Sequence, residues 1–112
     1  MISLGVSDMS RSVQFYSETL GLELAGPQGE VTVLRAGDVI IALNRPLGQS
    51  AGGAMAGAVE VVFRVSSVAE AHRLLADRGC TFIRQPREIF PGNHAATFTD
   101  PDGHHLTLLG PE

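Results

Sequence analysis

Glu60 and Arg64 stand four residues apart in the alternating run Glu60-Val61-Val62-Phe63-Arg64. A β-strand puts both on one face with about 13 Å of strand rise between them, too far for a direct ion pair. A lone carboxylate on a partly apolar face has two chemical uses: it meets a cation, or it takes a proton as a general base. A structural salt bridge is the third, bland use. The other candidates are histidines. His104 and His105 are neighbours on an expected strand and so point to opposite faces, which keeps them from closing on one metal ion without a bulge. His105 shares a face with Thr107. His94 falls in Glu88-Ile89-Phe90-Pro91-Gly92-Asn93-His94, read as a loop in which Phe90 offers a stacking surface. His72 sits at the border of a helical apolar stripe. No phosphate-cradling glycine motif, nucleophile elbow or metalloprotease helix is present.

These side chains need elements to hold them, and the pattern supplies two similar sets. Residues 1–6 alternate, with Ile2, Leu4 and Val6 on one side and Met1, Ser3 and Gly5 on the other. Asp8 or Ser10 then caps a helix with apolar positions Met9, Val13, Tyr16 and Leu20, stopped by Gly21. Strands follow over 22–25, 31–35 and 39–44, separated by Gly26-Pro27-Gln28-Gly29 and Ala36-Gly37-Asp38. The stretch 44–57 is rich in glycine and alanine and reads as an unpatterned linker. A strand over 58–65, a cap at Ser66 or Ser67, and a helix over 68–78 with Val68, Ala71, Leu74 and Leu75 inward come next. Strands over 80–84 and 95–99 lead to the turn Asp100-Pro101-Asp102-Gly103 and a last strand from about Leu106. The order is βαβββ twice, with Val6-Ser7-Asp8 echoed by Val65-Ser66-Ser67. A duplication explains it most simply.

Alternation also sorts the side chains. With Leu106 and Leu108 under a helix, His105, Thr107 and Leu109 face away from it. The same rule assigns Ser3, Gly5, Ile40, Ala42 and Asn44 in the first half, and Glu60, Val62 and Arg64 in the second, to the helix-free faces. Most are small, which predicts a roomy face with few polar anchors.

The 112 residues, 44% of them hydrophobic, suffice for one domain with a core: module 1 at about 1–44, a linker at about 45–57, module 2 at about 58–112. Eight basic and twelve acidic residues give a formal charge of −4 with no basic run, which argues against nucleic acid or an anionic membrane as partner. It favours a neutral or cationic ligand. Cys80, the one cysteine, excludes an internal disulfide and reads as an apolar filler in a reducing compartment. No apolar run approaches a membrane span, and no secretory leader precedes the first strand, so the expected location is the cytoplasm.

Two pieces resemble the vicinal oxygen chelate superfamily of glyoxalases, extradiol dioxygenases and bleomycin-resistance proteins. They are Val6-Ser7-Asp8-Met9 through Phe15-Tyr16 to Leu20-Gly21-Leu22, and Asp100-Pro101-Asp102-Gly103 before the last strand. The resemblance implies an α+β fold in which two βαβββ modules form open half-barrel sheets with helices outside and a ligand cavity inside. Metal-ligand positions carried over from the family fall on Met1, Ala42, Glu60 and Thr107. A thioether, a methyl, one carboxylate and a hydroxyl make a poor offer to a divalent ion in an open site, which wants roughly three good protein ligands.

The expectation is therefore a metal-free small-molecule-binding protein that resembles bleomycin-resistance proteins, rather than an enzyme. It would sequester a bulky drug-like or natural-product ligand at a homodimer interface, with no cofactor and no catalytic residue. The ligand-binding candidates are Glu60, Arg64, Phe90, His105, Thr107, Ser3, Ala42 and Asn44. The alternative is a glyoxalase-like lyase or dioxygenase of the same superfamily, with Glu60 as metal ligand or general base. A subunit with a vestigial cavity is a third reading.

Overall fold

The computed structural model of the protein describes residues 1–26, 28–51 and 59–112. The chain divides into two compact units, Met1–Met55 and Ala56–Glu112. Each holds one four-stranded sheet that is open rather than closed into a barrel.

In the first unit, Asp8 has extended backbone and its carboxylate accepts from Arg11 N at 3.2 Å, which starts α1 (Met9–Gln14) after β1 (Ile2–Gly5). The helix widens into a π-helical turn over Phe15–Thr19, where Leu20 N donates to Phe15 O at 3.0 Å. Gly21 ends it at φ 78, a conformation that favours glycine. β2 (Glu23–Leu24), β3 (Val31–Ala36) and β4 (Val39–Asn44) complete a sheet of order β1-β4-β3-β2, parallel only between β1 and β4. The register lines up Leu4, Leu43 and Thr32, and beside them Ile2, Ile41 and Leu34. Leu4, Ile41, Leu43 and Leu34 are buried with Val6 and Tyr16 as this unit's core. Thr32 is buried too, and its hydroxyl exchanges hydrogen bonds with the backbone of Gly29.

The expected linker differs. Residues 45–51 form α2 (Arg45–Ala51); the remainder of that stretch, 52–57, together with Pro27 and the expected strand start at Ala58, lies outside the described residues. The helix has a local cause: Asn44 Oδ1 accepts from Leu47 N at 2.9 Å, and Pro46 sits in the first turn, where its missing N–H costs nothing. Gly48 then lets the helix backbone lie against the end of β1. A Cβ on Gly48 would collide with the Val6 backbone, and one on Gly5 would come within 2.9 Å of Gly48 Cα. The room that alternation assigned to Gly5 is filled by α2.

The second unit repeats the plan. Ser67 caps α3 (Val68–Asp77) by accepting from Glu70 N at 3.1 Å, with Gly79 at φ 91 beyond its end. β5 (Glu60–Arg64), β6 (Thr81–Phe90), β7 (Asn93–Thr99) and β8 (His105–Gly110) form a sheet of order β5-β8-β7-β6, parallel only between β5 and β8. Val61, Ala96, Phe98, Leu106 and Leu108 are buried with Val68 and Leu75 of α3. Leu74, expected inward, is 50% exposed; the inward stripe runs Val68, Ala71, His72, Leu75, and His72 meets the Phe82 ring edge-on at 4.4 Å. Cys80 is half-buried, and this burial pushes its thiol pKa up against a smaller opposing pull from Arg78.

The larger correction concerns β6. The sequence suggests a strand ending at Arg84 and a loop over 88–94, but the strand runs to Phe90 and a tight turn at Pro91-Gly92 returns it into β7. Phe90 and His94 are strand residues. Pro86 falls inside this strand because β6 is the sheet's edge, where a missing N–H is tolerated.

Candidate functional site

The helix-free face of the second sheet holds Glu60, Arg64, His105 and Thr107 in neighbouring positions, because β5 and β8 run parallel in the register Glu60↔His105, Val62↔Thr107, Arg64↔Leu109. Thr107 Oγ1 donates to Glu60 Oε2 at 2.8 Å. With its one proton so used, Thr107 accepts from Thr97 Oγ1, its cross-strand partner, at 2.9 Å. Both threonines are buried, at 3% and 7% exposure, while Glu60 is exposed. The result is a directed chain of hydroxyls that fixes one carboxylate oxygen. Of the two uses that the sequence left for this carboxylate, neither is what its nearest partner provides: it meets a neutral donor.

The same register shows which residues sequence reasoning missed. Thr81 pairs with Thr99, Arg84 with Thr97, Arg87 with Ala95 and Phe90 with Asn93. Three bulges in β6, between Phe82 and Arg84, between Arg84 and Arg87, and between Glu88 and Phe90, each insert one extra residue. Positions three apart thereby share a face that simple alternation would split. Arg84, Arg87 and Phe90 join Glu60 and Arg64 on it. No pattern of period two reveals this; the one sequence signal is Pro86, which favours a bulge on an edge strand.

Elsewhere the placements scatter. Ser3, Ala42 and Asn44 share the face of the first sheet opposite its core, with Ser3 beside Ala42 and Gly5 beside Asn44. Asn44 is occupied there, as the cap of α2 and as a donor to Ser3 Oγ at 3.4 Å. Ala42 is buried. His94 pairs with Gly110 and Glu88 on the α3 side, and its buried Nδ1 has no hydrogen-bond partner among the described residues. A groove of about 620 Å³ between α1 and β2, lined by Met9, Val13, Gln14, Ser17, Leu24 and Gln28 among others, contains none of the candidates.

The family-derived metal positions fail on chemistry. Met1 is 85% exposed, Ala42 has no donor atom, and Thr107 spends its hydroxyl on Glu60. Among the described residues, no three His, Cys, Asp or Glu side chains form a group that could hold a metal ion. Nor is any described helix long and apolar enough to cross a membrane.

Two βαβββ units, each an open sheet with a parallel outer pair, define a fold class that serves both metal enzymes and binders. The chain belongs to the Glyoxalase/Bleomycin resistance protein/Dioxygenase superfamily, whose family model matches residues 1–108. It is 26% identical to a probable lactoylglutathione lyase of Synechocystis sp., over 93% of this chain and 88% of that one. Among solved structures it is similar to a superfamily member from Sphaerobacter thermophilus (26% identity, 97% and 94% coverage, TM-score 0.76). It shares the fold of TnmS3, an antibiotic-binding protein from Streptomyces sp. CB03234 (23% identity, 99% and 93% coverage, TM-score 0.76).

Proposed function

We propose that this protein binds a bulky, partly aromatic small molecule without a metal and without changing it, and so sequesters a drug-like or natural-product ligand as bleomycin-resistance proteins do. The observation that carries this reading is the Thr97, Thr107 and Glu60 chain: a hydroxyl holds one oxygen of the carboxylate that a family metal would need. The fold shared with an antibiotic-binding protein is in keeping with it. The ligand site includes Glu60, Arg64, Phe90, His105 and Thr107 of the second sheet, and on the first sheet the contact candidates are Ser3, Ala42 and Asn44.

Elemental analysis of purified protein and calorimetric titration with zinc, nickel, manganese and iron(II) should show no tight one-to-one site. A thermal-shift screen with bleomycin-like glycopeptides, enediynes and quinones should yield stabilising compounds that mass analysis recovers intact. Tight metal binding lost in Glu60→Ala, or a compound turned over, would replace this reading with the second one. That second reading is a lyase with Glu60 as base or ligand, favoured by the Synechocystis relative.

We also propose a homodimer, since a helix-free sheet face with exposed Val62, Ile83 and Phe90 nearby gains by being covered, and a cytoplasmic location, with which the lone cysteine Cys80 is in keeping. Sedimentation at micromolar concentration should show the dimer; monomer alone would remove the claim.

A further inference from the structure

The acidic net charge and Glu60 point to a neutral or cationic ligand, but the face itself has the opposite sign. Among the described residues, Arg64, Arg84 and Arg87 stand on it against the carboxylate of Glu60, an excess of two positive charges. All three arginines are exposed, and the ion pairs formed among the described residues, Arg45 with Glu30 and Arg73 with Glu70, involve none of them. In a chain of net charge −4 such a local excess is not a by-product of composition.

Its construction is equally specific. Arg84 and Arg87 are three residues apart, so a regular strand would turn them to opposite faces. The bulge between them matches three residues of β6 to two of β7, and Arg84 and Arg87 pair with Thr97 and Ala95 on one face. A further bulge brings Phe90 to that face beyond Arg87. Between Arg87 and Arg64 the row is floored by Ala95 and Leu109, about 14 Å across at the usual strand spacing. Two guanidinium forks at one edge, an apolar floor and an aromatic ring beside them suit an oxyanion carried on a flat apolar body.

We infer that the ligand is an anion: a small aromatic or polycyclic molecule bearing a carboxylate or phosphate, whose oxyanion is held by Arg84 and Arg87. This rests on the small-molecule-binding reading of the same face and names the chemical class of its ligand. Glu60, held at the far corner by Thr107, excludes a second anionic group there.

The test is calorimetric titration of the full chain with 2-naphthoate and with 2-naphthamide, a pair of nearly equal shape that differs in charge. Wild type should bind the acid at least tenfold more tightly than the amide. The double variant Arg84→Gln/Arg87→Gln should lose that preference while keeping its affinity for the amide, and Arg84→Lys/Arg87→Lys should retain part of it. Urea unfolding of each variant checks that these exposed edge positions leave the fold intact. Equal affinity for acid and amide, or a preference that survives the glutamine variant, overturns the anion site and leaves the binding reading in place. Absence of binding by the acid at millimolar concentration likewise overturns the anion site, while the binding reading stands or falls with the thermal-shift screen.

Discussion

Phe98→Ala should destabilise the protein by about 3–5 kcal/mol, the usual cost of deleting a fully buried aromatic ring from a core that cannot close over the gap. Phe98 is 1% exposed, in the third strand of the order β5-β8-β7-β6, with Leu106 beside it on β8. Its ring lies 5.1 Å from that of Phe82, and Phe82 in turn meets His72 of α3. The three rings therefore run from β7 through Phe82 of β6 to the helix, and the loss of ring contacts adds about 0.5–1.5 kcal/mol to the area term within that range. Urea unfolding followed by circular dichroism measures it. Ile83→Ala, at a residue 46% exposed on the same β6 strand, is the control and should cost under about 1 kcal/mol. A Phe98→Ala midpoint equal to that of the control would show that this stack is not part of the core.

The second large effect is expected at the turn before the last strand. Asp100 is 5% exposed, and its Oδ1 accepts from Asp102 N at 3.0 Å and from His104 N at 2.8 Å. The backbone closes the same loop, with Asp100 N donating to His104 O and Gly103, at φ 86, donating to Asp100 O. Hydrogen bonds to a charged acceptor are each worth about 1.5–3 kcal/mol, so Asp100→Ala should cost about 3 kcal/mol once water has replaced part of the loss. Asp100→Asn keeps an acceptor and should cost about 1 kcal/mol. The turn sets the register of β8 and with it Thr107 beside Glu60, so Asp100→Ala should also lower ligand affinity at temperatures where it remains folded. Equal stability of Asp100→Ala and wild type in urea would mean that the backbone bonds alone hold the turn.

That turn was legible in the sequence, and so was most of the fold. Asp-Pro-Asp-Gly, the caps Asp8 and Ser67, and the stops at Gly21 and Gly79 are local signals, set by residues that touch their own neighbours in sequence. The repeated βαβββ order and the shared face of Glu60, Arg64, His105 and Thr107 followed from alternation, which β5 and β8 obey. What alternation could not show is where it is broken. β6 violates period two three times, so Arg84 and Arg87 were invisible as a pair and Phe90 was read into a loop. α2 hid for a different reason: Gly48 and the small residues around it look like a linker, although Asn44 and Pro46 carry its start. Gly48 marks close backbone approach rather than freedom. The hydroxyl chain to Glu60 needs three strands brought together and has no counterpart in any short motif.

β6 is also the outermost strand of its sheet, ten residues long and mostly exposed. Such a strand, if flat, would template the addition of further chains and seed fibrils. The three bulges that turn the arginines toward one face also break the ladder on the free side, so no incoming strand can match its hydrogen bonds over more than a few residues. The turning of the arginines and the protection of the edge thus have the same origin in this strand. A substitution that straightened it to regular pairing would scatter the row of arginines and, in the same stroke, expose an edge on which the protein could polymerise.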